Sequence, residues 1–245
     1  MTTLSAETIF HIGSFPVTNT FIDTLLIDAV IIALIIVINK NLKLIPGMFQ
    51  NLIESLIEVI NNLTESVAGD RAKKIFPYFM SFFIIILLSN WSELLPVFTA
   101  IGFYHHGEHG NTFVPFLRSP STDLNFTLAL ALVSIVATHT MSIKTLGFKE
   151  YISRFLSFNP FNLFIGLLEL ISEFTKIISF SFRLFGNIFV GGVMLASLTA
   201  VGAFLLPLPL IAYELAVGVI QAVIFGMLTM AFMSILTTPH SEGKH

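Results

Sequence analysis

Hydrophobic residues in this chain fall into long unbroken runs rather than short alternating ones. Five charge-poor runs stand out, at 17–38, 75–98, 122–143, 162–202 and 208–237. A helix crossing about 30 Å of hydrocarbon needs roughly 20 apolar residues at about 1.5 Å each, so each run is long enough to span a bilayer. The segment 49–67 is different. Leu52, Ile53, Leu56, Ile57, Ile60, Leu63 and Val67 recur at steps of three and four, while Glu54, Glu58, Asn61 and Glu65 take the other face. That is the pattern of an amphipathic helix lying in the membrane interface. The expectation is an all-α integral membrane protein over 1–245, a single membrane domain with five transmembrane helices and one interfacial helix. An outer N-terminal segment, 1–16, precedes the first span, and a cytoplasmic tail, 238–245, follows the last.

Composition supports this reading. Of 245 residues, 55% are hydrophobic and 11% charged, and the mean hydropathy is +0.87, too apolar for a water-soluble surface. A net charge of −3 and the absence of a long basic stretch argue against a nucleic-acid partner. Cysteine is absent, which excludes disulfides, thiolate metal sites and cysteine nucleophiles. No basic residue precedes the first apolar run, so a cleavable signal peptide is not expected and the mature chain should start near Met1.

Lysine and arginine set the sidedness. Nine of the twelve lie in three clusters and the tail: Lys40 and Lys43; Arg71, Lys73 and Lys74; Lys144, Lys149 and Arg154; Lys244. Basic loops stay on the cytoplasmic side. The N-terminus and the loops around 99–121 and 203–207 therefore lie outside, with Arg118 their one basic residue, and the C-terminus lies in the cytoplasm. Lys176 and Arg183 remain, and both fall inside the fourth run.

That run is about 40 residues without proline, roughly 60 Å of helix, twice the hydrocarbon thickness. It must tilt steeply, held obliquely against a curved protein surface. Glu169, Glu173, Lys176, Arg183 and Asn187 follow at steps of four, three, seven and four, within about 80° of one helical face. Lys176 can pair locally with Glu173 or Glu169. Arg183 has no acidic neighbour one turn away. An arginine at the bilayer centre costs at least ~2.5–3.5 kcal/mol unless water or a counter-charge meets it. A structural arginine that snorkels or pairs elsewhere is the plainer reading, but the middle of so long a helix is far from either interface.

The fifth run has its own stripe, Glu214, Gly218, Gln221, Phe225 and Thr229, at steps of four, three, four and four. An antiparallel hairpin through Pro207 and Pro209 would set Glu214 in the outer half of the membrane, level with Gly192 or thereabouts. A carboxyl in a partly desolvated crevice suits proton relay, and a structural hydrogen-bonding role is the other reading.

These stretches carry a resemblance. SFSFRLFGNIFVGG (179–192) followed by YELAVGVIQAVIFGMLT (213–229) closely resembles the paired signature of the a subunits of bacterial F-type ATP synthases. FHIGSFPVTNT (10–20), NWSELLPVF (90–98), STDLNFTLALAL (121–132) and PFN (160–162) resemble further landmarks in family order, so the likeness covers nearly the whole chain. It implies a proton-translocating, non-catalytic subunit of the membrane sector, working with a c-subunit ring, a b-subunit stator and the rest of the synthase in a bacterial plasma membrane, an organelle membrane being the lesser expectation. It implies that the long tilted hairpin, the fifth and sixth helices, packs against the c-ring; that Arg183 faces the ring carboxylates; that Asn187, Glu214 and Gln221 line a half-channel from outside; and that Glu169 and Lys176 lie near a second, offset path from the cytoplasm. Protons are the expected ion, ahead of sodium. One position departs from the best-known pattern: Gly192 stands where a glutamate often occurs, and Glu214 where that version has histidine. If the two positions face each other, glycine leaves room for the relocated carboxylate.

Other signals are weaker. His105, His106 and His109 in FYHHGEHG could hold a divalent metal, but a short surface histidine loop usually needs none, and no metal or other cofactor is expected. His139 lies in the third span as a packed or pore-adjacent residue, and Glu93 and Asp123 suit water access or structure equally. No G-x-x-x-x-G-K-[ST] phosphate loop or nucleophile–base set occurs, so nucleotide chemistry belongs to partners. A proton-coupled secondary transporter is the alternative, but the two ends of the chain show no self-similarity.

Overall fold

The protein is described by a computed structural model over residues 6–95, 101–107, 110–155, 160–200 and 207–238. Two antiparallel hairpins occur, one near the N-terminus and one in 102–115: β1 (Thr8–Ile12) with β2 (Phe15–Thr18), and β3 (Gly102–Gly107) with β4 (Gly110–Pro115). The helices are α1 (Asn19–Asn41), α2 (Met48–Ala68), α3 (Ala72–Ser92), α4 (Leu124–Leu146), α5 (Phe148–Phe155), α6 (Pro160–Ala200) and α7 (Pro207–Leu236).

Local chemistry sets several boundaries. Thr18 caps α1, its Oγ1 accepting from Phe21 N at 3.3 Å, and the Asp123 carboxylate caps α4 by accepting from Asn125 N at 2.9 Å. Gly147 ends α4 at φ 86°, a left-handed conformation that glycine adopts without steric cost. The second apolar run was expected to continue to 98. Its helix stops at Ser92, because a proline at 96 would clash with the Ser92 carbonyl and disfavours helix at the residue before it. Residues 96–100, 201–206 and 239–245, which hold the far ends of two expected spans and most of the tail, lie outside the described residues.

The described residues are overwhelmingly helical, as expected; two short hairpins and the helix α5 are additions that were not anticipated. Both hairpins are short, and β1–β2 turns through Gly13 at φ 65°. At five residues or fewer each, strands β1 and β2 are too brief for alternation to stand out against apolar runs.

Among the described residues, four stretches are long and apolar enough to cross a membrane: α1, the α2–α3 stretch Met48–Ser92, α4 and α7. The chain is thus a mainly helical, multi-span membrane protein. α6, at 41 residues, is the longest single helix, and its charged stripe sets it apart.

α7 is the centre of packing, lying against α3, α4, α6 and the end of α2. Phe79, Phe82, Phe83 and Ile86 of α3 meet Ala222, Phe225, Met230 and Met233 of α7, and Phe180, Leu184 and Ile188 of α6 close the same core. Gly226 lets α3 come near, since a Cβ there would run into the Phe79 ring. Small residues allow such approach where lipid supplies no hydrophobic drive between helices. α1 is buried only at its N-terminal end, through Asn19, Thr20, Asp23 and Ile27. Its remaining length exposes Val30, Ile32, Leu34, Ile35, Ile36 and Val37, as a lipid-facing helix does.

Candidate functional site

Arg183 lies on the exposed side of α6. Its Nη2 donates to Ser179 Oγ at 3.2 Å, and no ion pair reaches it among the described residues. The residues of α6 that pack inward, Phe180, Ser181, Leu184, Ile188 and Gly191, lie on an adjacent face, leaving the guanidinium at the edge of the bundle. Across from it Gln221 of α7 is 9% exposed, and the two line one small pocket with Phe180, Leu184 and Phe225.

Further along the same helix pair, toward the α6–α7 turn, Asn187 and Glu214 line a cavity of about 180 Å³ with Gly186, Gly191 and Tyr213. Glu214 is buried, and its Oε1 has no hydrogen-bond partner among the described residues. A Cβ on Gly191 would strike that carboxylate, and a Cβ on Gly192 would strike the Glu93 carboxylate. The expected pairing of Gly192 with Glu214 is therefore corrected by one residue. One residue is about 100° of helix rotation, enough to hand Gly192 to a different helix. The hairpin thus meets two acids through two successive glycines.

Glu93, at the end of α3, sits in a buried polar network that sequence reading did not assemble. Asn90 Nδ2 donates to Gly218 O at 3.1 Å, and Trp91 Nε1 to Leu215 O at 3.3 Å. Ser92 Oγ donates to Asp23 Oδ2 at 3.1 Å, Ser119 Oγ to Ser89 O at 2.6 Å, and Thr20 Oγ1 to Asp123 Oδ2 at 3.2 Å. Arg118 bonds Thr122 through Nε at 3.0 Å and Nη2 at 3.1 Å. Burial pulls its pKa down, while nearby Asp123 and Glu93 oppose that shift. Asp23 Oδ1, Ser89 Oγ, Asn90 Oδ1, Glu93 Oε2 and Ser121 Oγ are buried with no hydrogen-bond partner among the described residues. A buried polar atom without a partner costs about 1–3 kcal/mol, so so many on one side of the bundle mark where water has to reach.

The N-terminal end of the α6 stripe is tied differently. Lys176 Nζ pairs with Glu173 Oε1 at 2.6 Å and lies 4.0 Å from the Phe232 ring centroid. Glu169, one of the expected half-channel residues, binds Arg154 of α5 at 2.7 Å. His139 lies beside Glu173, a member of the stripe read from the sequence, and beside Tyr151, which the sequence did not single out. The five-residue stripe is thus divided: Glu173 is buried, Glu169 and Lys176 are half-buried, and Arg183 and Asn187 are exposed. The α7 stripe, Glu214, Gly218, Gln221, Phe225 and Thr229, is buried throughout. His105 and His106 fall on β3, and His109 lies outside the described residues.

A family model described as ATP synthase A chain matches residues 21–234, most of the chain. This chain belongs to that family. ATP synthase subunit a of Moorella thermoacetica is 30% identical over 96% of this chain and 97% of its own length. ATP synthase subunit a of Acidothermus cellulolyticus is 36% identical over 81% of this chain and 69% of its own. A relative from Propionigenium modestum, ATP synthase subunit a, sodium ion specific, is 34% identical over 89% of this chain and 74% of its own. Membership of the ATP synthase A chain family places the chain in the membrane sector and disfavours the secondary-transporter alternative.

Proposed function

We propose that this chain conducts protons across a bacterial plasma membrane through two offset half-channels, with Arg183 as the cation that couples their flow to rotation of a carboxylate-bearing c-ring. The observation that carries the proposal is the guanidinium itself, exposed on a long helix with no acid paired to it among the described residues. An arginine there needs a counter-charge, and the exposed side of α6 leaves room for one from a partner. Arginine suits the role because its guanidinium stays protonated, whereas a buried lysine could lose its proton and open a leak. A deprotonated ring carboxylate is held at Arg183 and moves on into lipid only after protonation. Each charge crossing the membrane potential contributes about 2.3 kcal/mol per 100 mV, and offset entrances turn that drop into direction.

In this reading α6 is the fourth of five crossings, tilted along the ring with α7, and α2 lies in the inner interface. The outer half-channel runs through the buried polar network, with Asp123 and Glu93 at its mouth, then through Glu214 and Asn187 to Gln221 beside Arg183. Lys176 lies near the inner path, and Glu169, tied to Arg154, fixes the helices there. The N-terminus is outside, the C-terminus inside, and a b-type stator keeps the chain from turning with the ring. The chain does no nucleotide chemistry.

The test is Arg183→Ala and Arg183→Lys in the assembled complex, followed by ATP-driven acidification of membrane vesicles in sodium-free and sodium-containing buffer. Both variants should lose pumping by more than 100-fold while the complex still assembles, and the parent should pump without sodium. Full pumping by Arg183→Ala would end the proposal, and pumping that requires sodium would change its ion.

A further inference from the structure

The inner half of the bundle holds an ionisable cluster that the proposed outer path does not use. His139 of α4 accepts or donates at Nδ1 with the Tyr151 hydroxyl of α5 at 3.0 Å, and its Nε2 lies 3.6 Å from Glu173 Oε2 of α6. Both ring nitrogens are therefore engaged by groups from two other helices. The ring is also caged edge-on by aromatics, with centroids 5.8 Å from Tyr151 and 6.4 Å from Phe155. A cavity of about 250 Å³ opens on the cluster, lined by His139, Tyr151 and Glu173 among apolar side chains.

We propose that His139 carries protons between this cavity and the rotor side of α6, with Tyr151 and Glu173 as positioning residues, so that ion flow depends on cytoplasmic pH through this imidazole. The inference rests on the functional reading above and assigns its inner access.

The neighbouring charges support histidine rather than either glutamate. Glu169 is occupied by Arg154 at 2.7 Å, and Glu173 by Lys176 at 2.6 Å. Each of those acids already has a permanent or near-permanent cation against it, which leaves the imidazole as the group free to change charge. Tyr151 stays neutral: burial first, then the charges of Glu173 and Glu169, push its phenol up. Its oxygen can thus accept from Nδ1–H, which leaves Nε2 unprotonated in the neutral ring and able to take a proton on the Glu173 side. α7, which also packs on α4, brings no charge to this level, since its ionisable side chains, Tyr213 and Glu214, lie in the outer half. Histidine is the side chain whose ordinary pKa, about 6.5, falls inside the working range. Glu173 precedes Arg183 by ten residues, about 15 Å along the helix axis, which places the cluster on the cytoplasmic side of the arginine. A balanced transfer needs only that Nε2 take a proton from water in the cavity and return it toward the rotor.

The experiment uses the whole complex in liposomes with the ATPase head outward, measuring ATP-driven proton uptake while only the external, cytoplasm-equivalent pH is varied from about 5.5 to 8.5. The parent's uptake should change in one step over this range. His139→Gln should lower uptake at least about 10-fold and abolish the step. Tyr151→Phe should keep uptake within about threefold and displace the midpoint. Uptake lowered with the step unmoved would mean a structural role, and unchanged uptake and step would mean none; either overturns the proposal. If His139→Gln does not assemble, Tyr151→Phe decides, an unmoved midpoint overturning it. Arg183→Ala in the same assay separates the two readings: silence there with a normal His139→Gln profile removes only this inference, whereas pumping by Arg183→Ala removes the parent proposal.

Discussion

Replacing Gly191 by alanine adds one methyl group where α6 meets the Glu214 carboxylate. The backbone tolerates it, since alanine in a helix is favoured over glycine by about 0.8–1.0 kcal/mol, so assembly should not suffer. The carboxylate does not tolerate it, because the new Cβ would overlap Oε1. Restoring an ordinary contact of about 3.5 Å forces the carboxylate to swing away. Proton exchange needs heavy atoms about 2.6–3.2 Å apart, and a misplacement of about 1 Å can cost on the order of 100-fold. Gly191→Ala should therefore lower proton flux by about 10- to 100-fold, equivalent to about 1.4–2.7 kcal/mol of barrier. The assay is ATP-driven acidification of vesicles, normalised to the amount of assembled complex. Glu214→Asp in the same chain shortens the side chain by one methylene and should recover part of the flux. Wild-type flux per complex in Gly191→Ala would refute the placement of Glu214 in the outer path.

Arg71 Nη1 donates to Ser234 O, Thr237 Oγ1 and Thr238 Oγ1 at 3.1, 3.2 and 2.8 Å, closing the end of α7. Arg71→Ala should cost about 1.5–3 kcal/mol, read as a lower melting temperature of the detergent-solubilised complex. Gly226→Ala overpacks the α3–α7 contact at Phe79 by about 1–3 kcal/mol, less the helix-propensity gain, and Phe79→Leu in the same chain should reverse much of the loss in that melt. Glu169→Gln should keep proton uptake within a few-fold, because Glu169 is tied to Arg154 and serves as a clamp; a loss approaching that of Arg183→Ala would make it a relay instead.

Much of this was readable in the residues. The apolar runs located the long helices because a hydrocarbon slab imposes one length on all of them. The α7 stripe, buried along its whole length, could be drawn from periodicity. The α6 stripe could not be read so far: five residues within one arc share a helix face, but whether that face is covered depends on α4 and α5, which cover its inner end and leave Arg183 bare. The Gly191–Glu214 match needed the hairpin's register, and an error of one residue exchanges Glu214 for Glu93. Tyr151 gave no signal because α5 is eight residues long, and Asn90, Ser92 and Asp23 gained meaning only when three helices brought them together.

The most direct measurement is a density map of the assembled complex fine enough to show what faces the Arg183 guanidinium. The account predicts a carboxylate of a different polypeptide, one of a ring of identical copies, within ion-pair reach during rotation. A guanidinium joined instead to Glu214, Glu173 or any other acid of its own chain, with no such ring alongside, would contradict it.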